Sequence, residues 1–236
     1  MTLHPFTEAL LQKLADQPAI SDGSPQDARA LVAAARPLLG AAAPMVSVRD
    51  IAIAGRHGPV PIRVFRPTES PEGTMLYLHG GGWVVGALDD YDVYARALAS
   101  RSNCTVLLVD YRLAPEHRFP VGLEDCEDAL AAVSGRMIAD LPQGPVIVAG
   151  DSAGGNLAAV LCRRLKDRGE VAALALYYPV TDHTQSSASY RAYAEGYPLS
   201  ARDMGWFFDH YAGSQDRAGP DVSVLHASDL AGMPST

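Results

Sequence analysis

Apolar side chains recur at helical spacing over the first 45 residues of this chain. Leu10, Leu11 and Leu14 lie within one turn of each other, and a second set with similar spacing follows in residues 31–38. This periodicity is typical of amphipathic helices. The segment 22–25, Asp-Gly-Ser-Pro, interrupts it, since Gly and Pro break helices. We therefore predict two helices and treat residues 1–45 as one segment.

The pattern changes to a period of two after residue 45. Apolar and polar residues alternate in 46–53 and again in 60–65, and the intervening 55–59 is rich in Gly and Pro. Two alternating runs joined by such a turn predict an antiparallel hairpin. The hairpin begins a second region, residues 46–236.

Short, uniformly apolar runs alternate with longer helical segments from residue 74 onward. A parallel sheet that is covered by helices needs strands that are apolar on both faces, and strand–helix alternation indicates βαβ crossovers. We predict an α/β fold with a mostly parallel sheet, helices on both faces and the hairpin at its start. The predicted strands are 75–78, 105–109, 146–149 and 171–178, and the predicted helices are 89–100, 123–133 and 152–166.

Residues 184–212 interrupt this alternation and are rich in Tyr, Trp and Phe. Their spacing predicts two short helices. An aromatic insert that follows a strand is a candidate for a lid over a binding site.

Charge and composition narrow the possible functions. The 236 residues carry a formal net charge of −8 and scattered cations, which argues against nucleic acid or an acidic membrane surface as a partner. The sequence has no uninterrupted run of about 18 apolar residues and no secretory signal pattern. Its three cysteines predict neither a disulfide framework nor a zinc site. We expect a cytoplasmic domain without a stable membrane anchor that acts on or binds small molecules.

The sequence Gly150-Asp151-Ser152-Ala153-Gly154 joins a predicted strand to a predicted helix. A turn sharp enough to present Ser152 at the sheet edge brings the residues two before and two after it against neighbouring backbone, where glycine fits best. Ser152 then begins a helix, whose amides and dipole favour developing negative charge. We interpret Ser152 as a nucleophile; the alternative is a glycine-rich turn in which the serine only caps the helix.

A second motif, His79-Gly80-Gly81-Gly82-Trp83, directly follows the first predicted parallel strand. Consecutive glycines leave backbone N–H groups unshielded, so that they can converge on one oxygen atom, as an oxyanion hole requires. Alone, the motif fits a flexible loop equally well. Because both motifs come at the carboxyl ends of predicted parallel strands, where such sheets bind ligands, we expect them to lie together.

These motifs resemble those of the hormone-sensitive-lipase-like carboxylesterases, the bacterial family IV branch of the α/β-hydrolase fold. The resemblance spans residues 45–236 and includes the stretches 110–117, 178–182 and 229–234. It implies an α/β-hydrolase core with an eight-stranded sheet, and a cap formed by residues 1–45 and by the insert 184–212.

The resemblance also implies an activity and a set of site residues. The activity is hydrolysis of small or short-chain carboxylic esters, with no cofactor and no metal. Ser152 is implied as the nucleophile, and the amides of Gly81, Gly82 and Ala153 as the oxyanion hole. The remaining motif residues are His79, Gly80, Gly150, Asp151 and Gly154.

A serine nucleophile needs a base, and the base needs an acid that orients it. In the resembled family both follow a stretch like 229–234, so we expect the acid, the base and the last two strands beyond residue 236. Within the chain, His183 beside Asp182 is the strongest candidate for a base, provided that it reaches Ser152. Without a base we expect the chain alone to be inactive or nearly so.

Polar residues near the motifs have structural interpretations. We expect Asp151 to turn away from the site and accept hydrogen bonds from local backbone. Arg112 and Glu116 are expected to form an ion pair, and Asn156 to anchor the loops near Ser152.

Two other hypotheses stay open at this point. The scaffold could be a non-catalytic receptor for small molecules, which tight binding without turnover would reveal. Alternatively, the chain could be a truncated fragment. In that case the unpaired edge of the strand 171–178 would favour edge-to-edge pairing, and we would expect a homodimer or aggregation and low stability.

Overall fold

A six-stranded, mostly parallel sheet runs through the protein. The structure is a computed structural model and describes residues 3–14 and 17–236. The strands are β1 (Ser47–Ile53), β2 (Val60–Arg66), β3 (Gly73–Leu78), β4 (Cys104–Val109), β5 (Val146–Asp151) and β6 (Ala173–Tyr177). Their order is β1-β2-β4-β3-β5-β6, with β2 antiparallel to both its neighbours and all other pairs parallel. The predicted α/β class and hairpin are confirmed.

Helices lie before, between and after these strands, and each predicted helix and strand from residue 46 onward is present with ends within two residues of the prediction. None of the helices in the described residues is long and apolar enough to cross a membrane. The α-helices are α1 (Pro5–Leu14), α2 (Pro25–Ala34), α3 (Leu88–Ser102), α4 (Val121–Ser134), α5 (Ser152–Leu165), α6 (Ala188–Ala192), α7 (Ala201–Tyr211) and α8 (Ser214–Arg217).

The break predicted at residues 22–25 is the start of α2. The Ser24 hydroxyl accepts a hydrogen bond from the Asp27 amide, and the Asp27 carboxylate accepts one from the Ser24 amide at 2.9 Å. This reciprocal cap satisfies amides that the first helical turn leaves without partners. Pro25 fits the first helical position because that position needs no N–H donor.

The sheet is buried on both faces, as its apolar strands predict. Every residue of β3 and β4 is buried. Phe65, Tyr77 and Leu108 pack with Ala95 and Ala99 of α3 on one face. Leu76, Leu107 and Val148 belong to the larger core on the other face, with apolar residues of α4 and α5.

The sequence predicts that β6 is apolar and buried on both faces, but in the structure the strand is only partly buried. In the described residues it is the outermost strand, with Leu174 buried and Tyr177 39% exposed. Its outer side makes one parallel bridge, between Ala173 and Ser235, in which the Leu174 amide donates to the Ser235 carbonyl at 2.8 Å.

The predicted ion pair between Arg112 and Glu116 is wrong, because the two side chains turn toward different helices. Arg112 pairs with Asp125 of α4, and its amide also donates to Asp125 Oδ2 at 2.9 Å. Glu116 instead binds Arg29 of α2, with 2.7 Å between Oε2 and Nη2. The turn after β4 is therefore attached to both helices.

Replacing Arg112 by Ala should destabilise the protein strongly. The Asp125 side chain is fully buried, and a buried charge that loses its partner costs about 3–5 kcal/mol. Urea unfolding measures the loss. The matched control is Arg56→Ala, which breaks a surface network around Asp128 and should cost about 1 kcal/mol or less. Equal losses for the two variants would contradict this interpretation of Asp125.

Candidate active site

Ser152 lies at the junction of β5 and α5 in a left-handed backbone conformation, with φ 51°. That conformation is uncommon for residues other than glycine. The glycines on either side allow it. A Cβ atom at Gly154 would lie 2.0 Å from the Leu78 carbonyl oxygen, and one at Gly150 would lie 2.4 Å from the Gly154 carbonyl oxygen. The crowding predicted from the sequence is confirmed.

The glycine loop, residues 79–83, follows β3 and is held open by its own backbone. The Gly81 carbonyl accepts hydrogen bonds from the amides of Val84 and Val85 at 3.0 and 2.9 Å. Gly81 and Gly82 have φ values of 112° and 57°, and a Cβ at Gly81 would lie 2.1 Å from the Val85 carbonyl oxygen. Within residues 3–14 and 17–236, the Gly81 and Gly82 amides donate to no other protein group, so they are free to bind an anionic oxygen.

The two motifs lie together because β3 and β5 are neighbours in the sheet. Leu78 at the end of β3 pairs with Gly150 near the end of β5. Gly154 packs against the carbonyl oxygens of both Leu78 and His79. Ala153 is in the first turn of α5, where amides have no acceptor within the helix.

Asp151 does not bond to local backbone, which corrects that expectation. Its Oδ1 accepts hydrogen bonds from the Gly80 amide at 2.9 Å and from the Tyr77 hydroxyl at 2.7 Å, and its Oδ2 accepts one from the Tyr91 hydroxyl at 3.0 Å. The donors come from β3, the glycine loop and α3. The extended conformation of Asp151 continues the alternation of β5, so its side chain lies on the same face of the sheet as that of Tyr77, which pairs with Ala149. Sequence analysis missed both tyrosines, although a buried tyrosine hydroxyl generally needs a partner.

His79 is completely buried and shapes the glycine loop. Its Nδ1 lies 2.7 Å from the Gly80 carbonyl oxygen, and its ring stacks on Tyr111 with 4.4 Å between ring centroids. The Tyr111 hydroxyl donates to the His79 carbonyl at 2.7 Å. Burial lowers the pKa of His79 below its ordinary value of 6.5.

His183 is hydrogen-bonded to Ser223 and, within the described residues, not to Ser152, so the structure does not support it as the base. Its Nδ1 lies 2.9 Å from the Ser223 hydroxyl oxygen and 3.7 Å from Asp182 Oδ1. His226 approaches the same carboxylate oxygen at 3.4 Å. No histidine of the described residues is hydrogen-bonded to the Ser152 hydroxyl.

Asn156 anchors the loops beside Ser152, as predicted. Its Nδ2 donates to the carbonyl oxygens of Val180 and Val222, both at 2.8 Å. The Val180 amide in turn donates to the Ser152 carbonyl at 3.1 Å. The segment that follows β6 is thereby held against the start of α5.

Ser152 faces a cavity of about 550 Å³ between the segment that follows β6 and the helices α6 and α7. Such a volume is usual for small-molecule sites. The lining is mixed: Tyr190, Met204 and Leu225 are largely apolar, whereas Asp182 and several serines of residues 186–200 are polar.

The aromatic residues of α7 pack on the glycine loop rather than forming a loose lid. Tyr211 stacks on Trp83 with 4.3 Å between ring centroids and 4° between ring planes. A Cβ at Gly82 would lie 2.2 Å from the Phe207 ring. Gly82 therefore leaves room for α7, and this half of the insert is a wall of the site.

The N-terminal segment contacts both the insert and the residue that follows the glycine loop. The Ser21 hydroxyl and amide donate to Asp203 Oδ1 of α7 at 2.6 and 3.0 Å. Arg29 of α2 donates from Nε to the Val84 carbonyl at 2.9 Å. These contacts fit the proposed cap of residues 1–45 and 184–212.

Comparison with known proteins identifies the family. The sequence profile of the alpha/beta hydrolase fold matches residues 75–236. The chain belongs to this family, in the hormone-sensitive-lipase-like branch of bacterial carboxylesterases that its motifs resemble.

Individual relatives are named as ester hydrolases. The chain is 38% identical over 200 residues to carboxylic ester hydrolase LipN of Mycobacterium tuberculosis, covering 80% of this chain and 53% of LipN. It is 37% identical over 191 residues to ethyl acetate hydrolase of Pseudomonas putida, covering 77% of this chain and 60% of that protein. The chain thus spans 53–60% of the length of these two curated relatives.

The fold of this chain is similar to that of a solved esterase structure. The hyperthermophilic esterase of Pyrobaculum calidifontis superposes with a TM-score of 0.91 at 38% identity, covering 99% of this chain and 78% of that one.

Gly154→Ala should destabilise the protein by more than about 3 kcal/mol, because its Cβ would overlap the Leu78 carbonyl oxygen and force the turn away from β3. Gly169→Ala is the matched control. Gly169 has φ 63°, and no atom lies within 4 Å of the place that a methyl group would occupy there, so only the left-handed backbone cost of about 1–2 kcal/mol applies. Urea unfolding distinguishes the two variants, and similar losses would argue against the crowding.

The stability of the protein should fall as the pH drops below about 6.5. Because burial lowers the pKa of His79 in the folded state, only the unfolded chain takes up a proton there in that range. The free energy of unfolding then decreases by up to about 1.4 kcal/mol per pH unit from this residue. Urea unfolding between pH 5 and 8 should show a smaller slope for His79→Asn than for the wild type. Identical slopes would contradict the assignment.

Proposed function

We propose that this protein hydrolyses small or short-chain carboxylic esters through Ser152. The observation that supports the proposal best is the position of Ser152: strained at the start of α5, open to a cavity, and beside a loop with two free amides. Its similarity to named ester hydrolases supports the same reaction class.

In this proposal the Ser152 hydroxyl oxygen attacks the carbonyl carbon of the ester while a base takes up its proton. The carbonyl oxygen becomes negatively charged and accepts hydrogen bonds from the amides of Gly81, Gly82 and Ala153. The alcohol leaves with a proton, and water then hydrolyses the acyl-serine ester. The glycines at 81 and 82 matter because side chains there would collide with Val85 and Phe207.

We propose further that these 236 residues hydrolyse esters slowly on their own. Removing the histidine of a serine triad costs about 10⁶ in kcat, with roughly 10³–10⁴ over the reaction in water remaining. The described residues place His183 on Ser223 rather than on Ser152. We propose that the base and its acid come from sequence that follows in longer members of the family.

A receptor on the same scaffold is the second candidate. It is favoured by one observation, a cavity at Ser152 without a histidine on the serine hydroxyl among the described residues. Calorimetric binding of a short-chain ester, with no release of alcohol, would support it.

The test is hydrolysis of p-nitrophenyl acetate and p-nitrophenyl butyrate by the purified chain. Ser152→Ala should abolish the burst of p-nitrophenol that marks formation of the acyl-serine, whereas the slow steady rate that binding and the oxyanion amides support without a base can persist. Ser134→Ala is the matched control, because the Ser134 hydroxyl is buried without a partner in the described structure and lies outside the cavity at Ser152. A burst that Ser152→Ala leaves unchanged would contradict the role of Ser152. Turnover at about 1–10³ s⁻¹ would contradict the proposed lack of a base.

A further inference from the structure

Asp151 is a buried acceptor at the centre of the site. It is 7% exposed, and its two carboxyl oxygens accept three hydrogen bonds from Gly80, Tyr77 and Tyr91. All three donors are neutral. Among the ion pairs of the described residues, none includes Asp151, so its position does not depend on a cation.

The contact with Gly80 joins two residues that each adjoin a reacting group. Asp151 directly precedes the Ser152 nucleophile, and Gly80 directly precedes Gly81, whose amide is free. The 2.9 Å hydrogen bond between them is therefore a short link from the nucleophile to the oxyanion amides.

Gly80 is shaped for this contact. A Cβ there would lie 2.3 Å from Asp151 Oδ2 and 2.9 Å from the Tyr91 hydroxyl oxygen. The carboxyl group and the tyrosine thus occupy the space where a side chain would stand. Glycine is therefore needed at position 80 to leave room for the Asp151 carboxyl group and the Tyr91 hydroxyl. This requirement is separate from the need to expose the oxyanion amides.

The tyrosines hold the carboxyl group in place. Tyr77 extends from β3 with its ring fully buried, and Tyr91 reaches over from α3. Burial is the main cause that raises the pKa of each phenol, with the nearby Asp151 adding to it. Both hydroxyls therefore stay protonated at neutral pH and donate to the carboxyl oxygens.

We propose that Asp151 is a positioning residue that sets the distance between Ser152 and the oxyanion amides of Gly81 and Gly82. This inference rests on the proposed esterase function. Asp151 touches no substrate; it acts through the Gly80 amide. Its loss should therefore slow the chemical step and leave ground-state binding of the ester unchanged, because oxyanion contacts form fully only in the transition state.

The experiment compares Asp151→Ala with Asp151→Asn. Alanine leaves the Gly80 amide and both tyrosine hydroxyls without their acceptor. Asparagine keeps the shape, can accept from Gly80 through its oxygen, and can donate to the Tyr91 hydroxyl. The rate with p-nitrophenyl acetate, corrected for the uncatalysed reaction, gives kcat and KM for each variant, since the oxyanion amides support the residual rate. Hydrogen exchange of the Gly80 amide, followed by NMR, reports the contact itself.

We expect Asp151→Ala to lower kcat about 10²-fold, the effect of misplacing a reacting group by about 1 Å, with KM changed less than about twofold. Asp151→Asn should recover most of that loss. The Gly80 amide should exchange faster in the alanine variant only. Asp128→Ala is the matched control. Asp128 binds Arg56 near the hairpin turn, so its loss should change neither the kinetics nor the Gly80 exchange.

Two results would overturn the proposal: an unchanged kcat in Asp151→Ala, or a kcat loss without faster Gly80 exchange. The second would mean that Asp151 affects the rate by a route other than its contact with the Gly80 amide. If the wild-type chain shows neither a Ser152-dependent burst nor turnover above the uncatalysed reaction, the proposed slow hydrolysis by this chain fails, and the exchange result alone decides whether Asp151 holds the glycine loop. Unchanged exchange in Asp151→Ala would then overturn it.

Discussion

The close backbone approach between the turn at Gly150–Gly154 and the end of β3 is the constraint on which the site depends. The Gly154 Cα faces the carbonyl oxygens of Leu78 and His79 with no room for a methyl group. This approach presents Ser152 at the sheet edge and places the glycine loop beside it. The hydrogen bond from Gly80 to Asp151 then ties the loop to the same turn. The pairing of β3 with β5, the glycines at 150 and 154 and the position of Ser152 therefore depend on one another.

Electrostatics and packing around the site follow from that arrangement. His79, which begins the glycine loop, is buried between Tyr91 and Tyr111 and is held neutral by its surroundings. Trp83, which ends the loop, is covered by Tyr211 of α7. The loop is thus fixed at both ends by aromatic contacts, while its central amides stay free. A glycine-rich segment is usually flexible; here its neighbours supply the rigidity that an oxyanion site requires.

Much of the fold could be predicted from the sequence because its signals are local. The period-two hairpin, the apolar parallel strands and the helix break at residues 22–25 depend on residues near each other in the chain. The crowding at Gly150 and Gly154 was also predictable, since a serine turn of this kind has one steric solution. The hydrogen-bond and ion-pair partners of individual side chains could not be predicted from local sequence in the same way. Asp151 bonds to residues 60 to 74 positions away, and Glu116 bonds to Arg29 rather than to its neighbour Arg112, because only the three-dimensional topology brings these groups together.

The contact of Phe207 with Gly82 also affects how this scaffold can diversify. An insert that only covered a cavity could be exchanged between relatives as a module, altering which molecules enter without disturbing the chemistry below it. Here α7, the second helix of the insert, packs directly on the glycine loop through Phe207. The first helix, α6, instead lines the cavity through Ser189 and Tyr190. Evolution and engineering can therefore vary the α6 half freely, while the α7 half must change in concert with the loop it supports.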